Sequence, residues 1–145
     1  MKALFLSALF VVMSLGNISM ASETIKASTD EREKILELVV GVQQTYSKAS
    51  ELEAKVIEIL GGDGMNPTRM YLILNTGYQD SKTFELGIMM YSVKRIVFLD
   101  IDTIVINYVQ DDLSSEMPVQ VNRSITVKVL RNKDGSLSDQ IKILK

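Results

Sequence analysis

The chain has 145 residues, 46% of them hydrophobic and 23% charged, with no Cys, His or Trp and a formal net charge of −2. That is the composition of one ordinary globular domain. The absent residue types exclude a Cys/His zinc site, a thiol nucleophile, a disulfide framework and a Ser-His-Asp triad, and the mild acidity offers a nucleic acid no basic field.

Met1-Lys2 is a short basic start, and residues 3–15 are apolar almost throughout. Ser19 and Ala21 then put small residues where a signal peptidase reads them. The apolar run is too short for a membrane span, which needs about 20 such residues. Residues 1–21 are therefore expected to be a signal peptide cut after Ala21, leaving no integral membrane segment. The exported chain carries no disulfide, which fits the bacterial periplasm better than a small secreted scaffold.

Residues 22–29 are polar and read as a loose leader to a single domain over residues 30–145. Ser28 with Glu31, or Asp30 with Glu33, forms a capping box at a helix start. Ile35, Leu38, Val42, Ala49, Leu52, Val56 and Ile59 then recur at 3-4 spacing, one stripe of an amphipathic helix. Gly61-Gly62 is a helix stop. A continuous helix over residues 30–60 would run about 46 Å, longer than the roughly 30 Å of a nine-residue strand. Ser50 with Glu53 offers an internal cap, so a break near residues 46–50 is the alternative.

Beyond Pro67 the period falls from 3.6 to 2. Alternation covers residues 70–75, 84–91 and 119–129, residues 96–109 are apolar on both faces except at Asp100 and Asp102, and Leu137, Ile141 and Ile143 close the chain. These are five or six strands on hairpin-length links, hence an antiparallel sheet. Matching apolar faces pairs Val127 with Ile141 and leaves Lys133-Asp134-Gly135 as a three-residue loop, its Gly at the left-handed position. The same argument sets Leu74 opposite Phe84. The fold expected is thus α+β, one long N-terminal helix packed on an antiparallel sheet, a layout similar to that of cystatin-like and nuclear-transport-factor-like proteins. Such a likeness carries no function.

Ile96-Val97-Phe98-Leu99-Asp100-Ile101-Asp102 resembles the nucleophile motif of haloacid-dehalogenase-type phosphatases, in which the first Asp would be phosphorylated and the second act as acid/base. The resemblance covers seven residues and fails at Ile104, where that family has Thr. The residues after it also lack the expected βα alternation. A solvated bend between two strands explains both Asp residues better. Asp111, Asp112 and Glu116 could join them around a hard cation, but a hairpin would hold the two groups about 25 Å apart. Gly61-Gly62-Asp63-Gly64 follows a predicted helix rather than opening one, so it is no phosphate loop.

The helix is expected to cover the sheet face carrying Leu72, Leu74, Phe84, Leu86, Ile88, Ile125, Val127 and Ile141. Tyr71, Ile73, Met89 and Tyr91 then lie opposite, in the aromatic and Met composition of an interface core. The function expected is a non-enzymatic binding or accessory protein acting on another protein or on itself, with no cofactor. Two alternatives stand beside it. One is an apolar-ligand carrier with a pocket between helix and sheet lined by Met70, Phe84, Met90 and Phe98. The other is a hydrolase or cation site at Asp100 and Asp102.

Overall fold

The computed structural model describes residues 22–26, 38–61, 64–77, 80–112, 114 and 117–144. The expected signal peptide and the capping boxes at residues 28–33 lie outside them. The described chain is all β: β1 (Ser22–Lys26), β2 (Val39–Ser47), β3 (Leu52–Leu60), β4 (Thr68–Asn75), β5 (Ser81–Met90), β6 (Ser92–Phe98), β7 (Thr103–Asp112), β8 (Val119–Arg131) and β9 (Leu137–Leu144). Two antiparallel sheets form, one ordered β2-β3-β4-β5 and the other β1-β9-β8-β7-β6. Each is essentially a meander, so hairpins make nearly all the connections.

The expected α+β fold is therefore corrected to a β-sandwich, and the likeness to helix-on-sheet proteins falls with it. From residue 38 to 60, where a helix was expected, the chain is the β2–β3 hairpin, with Val42 opposite Ile57 and Ser47 opposite Leu52. The physical reason is visible in β3. Leu52, Ala54 and Val56 are buried while Glu53, Lys55 and Ile57 are less so, a period of two. Seven β-branched residues in β2 and β3 (Val39, Val40, Val42, Thr45, Val56, Ile57, Ile59) favour the strand as well. The helix break expected near residues 46–50 falls with the helix: Tyr46 and Ser47 belong to β2, and residues 48–51 form the hairpin turn. Gly61 ends a strand, not a helix, and its N–H donates to Pro67 O at 3.2 Å across the β3–β4 link. Ser22–Lys26, expected as loose leader, pairs with β9.

The residues expected on one sheet face belong to two sheets that face each other. Leu72, Leu74, Phe84 and Leu86 come from the four-stranded sheet, and Val127 and Ile141 from the five-stranded one. All six are buried in one core with Ile104, Ile106 and Val129. The second sheet takes the helix's place as cover.

At the β8–β9 turn Gly135 has φ 86, Asn132 N–H donates to Ser136 O at 2.9 Å, and Arg131 pairs with Leu137 as the turn register requires. Beyond it Ser138–Gln140 stand against Leu130 alone, so Val127 meets Ile143 rather than Ile141. The slip is two residues and every side chain keeps its face. Phe84 likewise lies opposite Leu72 rather than Leu74.

Polar contacts stitch the sheets at their rims. Asp80, on the β4–β5 link, accepts the Leu137 N–H at 2.6 Å. Arg131 of β8 reaches Ser50 O in the β2–β3 turn at 3.4 Å. The chain passes from one sheet to the other at Tyr91, whose N–H donates to Val109 O at 2.8 Å.

Candidate interaction surface

The outward face of the four-stranded sheet is built from the residues between the core positions. Registers place Val42, Ile57, Tyr71 and Glu85 in one cross-strand row, and Gln44, Lys55, Ile73 and Thr83 in the next. A third row brings Met89 beside Arg69 and Ile59. Three of the four expected partner residues, Tyr71, Ile73 and Met89, thus share this face. Tyr91 sits at the crossover between sheets, 49% exposed.

Val42 is 53% and Met89 41% exposed on this face, while Tyr71 and Ile73 are half-buried. The Arg69–Glu85 ion pair, 3.3 Å long, flanks Tyr71. Burial, then the Glu85 charge, pushes the Tyr71 hydroxyl up from its ordinary pKa, so it stays a neutral donor at physiological pH. Arg69 is held by its Nε, which donates to Gly61 O at 2.7 Å. At the β2–β3 turn end the face runs into a groove of about 380 Å³ lined by Tyr46, Glu53, Asn75 and Gly77 among others. Sequence reasoning missed Val42, Ile57 and Tyr46 by counting residues 38–60 as helix; their strand-favouring side chains were the available signal.

The proposed ligand pocket is placed differently. Met70, Phe84 and Met90 are buried completely in the layer between the sheets, and Phe98 packs against it. They do meet, as core. Grooves of about 340, 380 and 470 Å³ among the described residues are lined by other residues. Two of these, about 340 and 470 Å³, share Tyr108 and Arg123 where the β7–β8 hairpin runs on past β9.

Asp100 and Asp102 occupy the β6–β7 turn, closed by Leu99 N–H donating to Thr103 O at 2.8 Å. Asp100 accepts the Asp102 N–H at 2.9 Å, and that bond, with one from Thr103, holds its carboxyl below the ordinary value. Asp102 pairs with Arg131 at 3.0 Å, and Lys128 approaches Asp100 to 3.9 Å. Asp112 lies at the far end of β7, paired with Arg123 at 3.2 Å; Glu116 lies outside the described residues. Among the described residues no three acidic side chains gather as a metal site. The Asp-x-Asp motif thus sits in a turn, with its charges met by two basic side chains of β8.

The fold and this face define an all-β sandwich with an apolar, tyrosine-bearing outer sheet. No protein-family model, no curated protein and no solved structure matches this chain.

Proposed function

We propose that this chain is an exported, non-enzymatic binding or accessory protein that acts by contact with another protein or with itself. One observation carries the reading: Val42, Ile57, Tyr71, Ile73 and Met89 converge on the outward face of the four-stranded sheet, with Val42 and Met89 substantially exposed. Apolar and tyrosine side chains gathered on an outer face, with ion pairs at their side, have the make-up of an interface core and its rim. Export rests on the charge, length and small-residue pattern of residues 1–21.

Two measurements test the reading. Mass spectrometry of the exported protein is expected to find Ser22 as the first residue; an intact chain starting at Met1 overturns export. Cross-linking in the native envelope fraction is expected to give a discrete adduct that the Val42→Lys, Met89→Lys double variant loses while keeping its thermal midpoint. Equal adducts from both proteins would remove this face from the function.

A further inference from the structure

We infer that the free edge of β8, from Val119 to Ile125, is a self-pairing site at which two copies of the chain join antiparallel about a two-fold axis at Asn122. This surface is separate from the outer face of the four-stranded sheet, and the inference stands without it.

β8 pairs with β7 from Val119 to Lys128, but with β9 from Thr126 to Arg131 alone. Leu144 of β9 lies opposite Thr126, and among the described residues no strand continues its line. Among the described residues, seven residues of β8 therefore have no strand beside them on that side. Gln120, Asn122, Arg123 and Ser124 are exposed, and Val119 is 54% exposed.

Sheet edges are normally blunted by bulges, lysines, inward charges or brevity. The other edges here follow that rule. The β2 and β5 ladders each contain a register shift, and β1 has five residues. β6 carries Lys94-Arg95 and a shift, and the Glu58 carboxylate covers its Val93 amide. The ladder from Val119–Ile125 to β7 runs without a shift, the segment holds no Lys or Pro, and its one charge, Arg123, is paired with Asp112 of β7 at 3.2 Å.

Backbone geometry selects the register. Val129 N–H donates to Asp102 O on the β7 side, so odd-numbered residues of β8 bond toward β7. Gln120, Asn122 and Ser124 then point their N–H and C=O groups to the open edge. A two-fold axis at Asn122 sets Asn122 against its own copy and Gln120 against Ser124 of the other chain. All three positions become hydrogen-bonded pairs, about six backbone bonds in all. The side chains agree with this arrangement. Val119 meets Ile125 of the second copy, Val121 meets Arg123, and no like charges stand opposite. Each Arg123 keeps its own Asp112. An axis at Arg123 would instead oppose two guanidinium groups, and one at Val121 would bring Pro118, which has no N–H, opposite Ser124. Pro118 also ends the ladder before it meets the second copy's β9.

One strand on each side is a small contact, so the dimer is weak and depends on concentration. The chain has no Cys, so a single introduced one reports the register without ambiguity. Directly opposed residues in such a pair have α-carbons about 5.5 Å apart, within disulfide range. Under mild oxidation the full exported protein with Asn122→Cys is expected to form a disulfide-linked dimer, whereas Ser124→Cys, whose copies lie diagonally apart, does not. In sedimentation velocity the wild type is expected to show a concentration-dependent dimer. Asn122→Lys, which opposes two ammonium groups, is expected to abolish it with the thermal midpoint unchanged, while Met89→Lys leaves it intact. A wild type that stays monomeric, equal cross-linking at positions 122 and 124, or a dimer that survives Asn122→Lys would each overturn the inference.

Discussion

The carboxyl group of Glu58 lies over the α-carbon of Gly41, so close that a β-carbon at position 41 would stand 2.7 Å from Oε1 and 2.8 Å from Cδ. Glu58 is 7% exposed and accepts the Val93 backbone N–H, so this side chain of β3 guards the edge of β6 in the other sheet. Gly41 leaves it the room. Gly41→Ala forces the buried carboxyl aside and is expected to cost about 1–3 kcal/mol in urea denaturation, as overpacking does. In a Glu58→Ala background the same change meets no carboxyl and is expected to cost far less. Equal costs in both backgrounds would show that the two positions are uncoupled.

Burial raises the Glu58 pKa above its ordinary value of 4.5, against the opposing pull of the Val93 N–H and the Lys94 charge. A carboxyl raised in this way holds its proton more tightly in the folded state than in the unfolded one. Its contribution to stability is full below pH 4.5 and is lost as pH climbs through the folded value. Asp100, Asp112 and Asp134 are lowered by hydrogen bonds from Asp102, Ser114 and Ser136, so their contributions are lost only as pH falls below 3.8. The windows do not overlap. Stability of the wild type relative to Glu58→Gln is expected to decline as pH rises above 4.5. A difference that is flat with pH would contradict the burial of this group.

Asp102 and Arg131 form a 3.0 Å pair with side chains 20% and 26% exposed, and Asp102 O also accepts the Val129 N–H. Asp102→Asn keeps the backbone bond and loses the charge, so a loss of about 1 kcal/mol is expected by chemical denaturation. Asp100→Asn keeps an acceptor for the turn and is expected to change stability less. A phosphatase activity of the purified protein that vanished with Asp100→Asn, fold intact, would restore the chemistry its motif resembles.

Between residues 38 and 60 one sequence satisfies two templates. Leu52 and Val56 are four apart, which puts them on one side of a helix and, four being even, on one side of a strand. The turn between the two strands carries no Gly or Pro to mark it, because Glu51 itself takes the left-handed conformation, φ 51. At the β8–β9 turn the special conformation falls on Gly135, and there the loop is readable. The slip beyond it is not, since nothing in Ser138–Gln140 announces an irregularity. The outer face was half legible: period two placed Tyr71 and Ile73 together, while Val42 and Ile57 were spent on the helix. That Val119–Ile125 of β8 has no second neighbour among the described residues was not legible at all. It depends on how far β9 runs alongside, and alternation in β8 looks the same whether or not a neighbour is present.

Tyr91 separates what a side chain contributes from what its backbone contributes. Its ring is about half exposed, while its N–H donates to Val109 O at the point where the chain leaves one sheet for the other. Tyr91→Lys therefore keeps the bond and gives up little buried area, and its cost is expected to stay within about 0.5 kcal/mol. Tyr91→Pro removes the N–H and is expected to cost about 2 kcal/mol or more, because Val109 O loses its donor and the crossover its anchor. The urea midpoints of the two variants check this directly. If Tyr91→Lys proved as damaging as Tyr91→Pro, the ring would be core, and Tyr91 would leave the set of residues that a partner can touch.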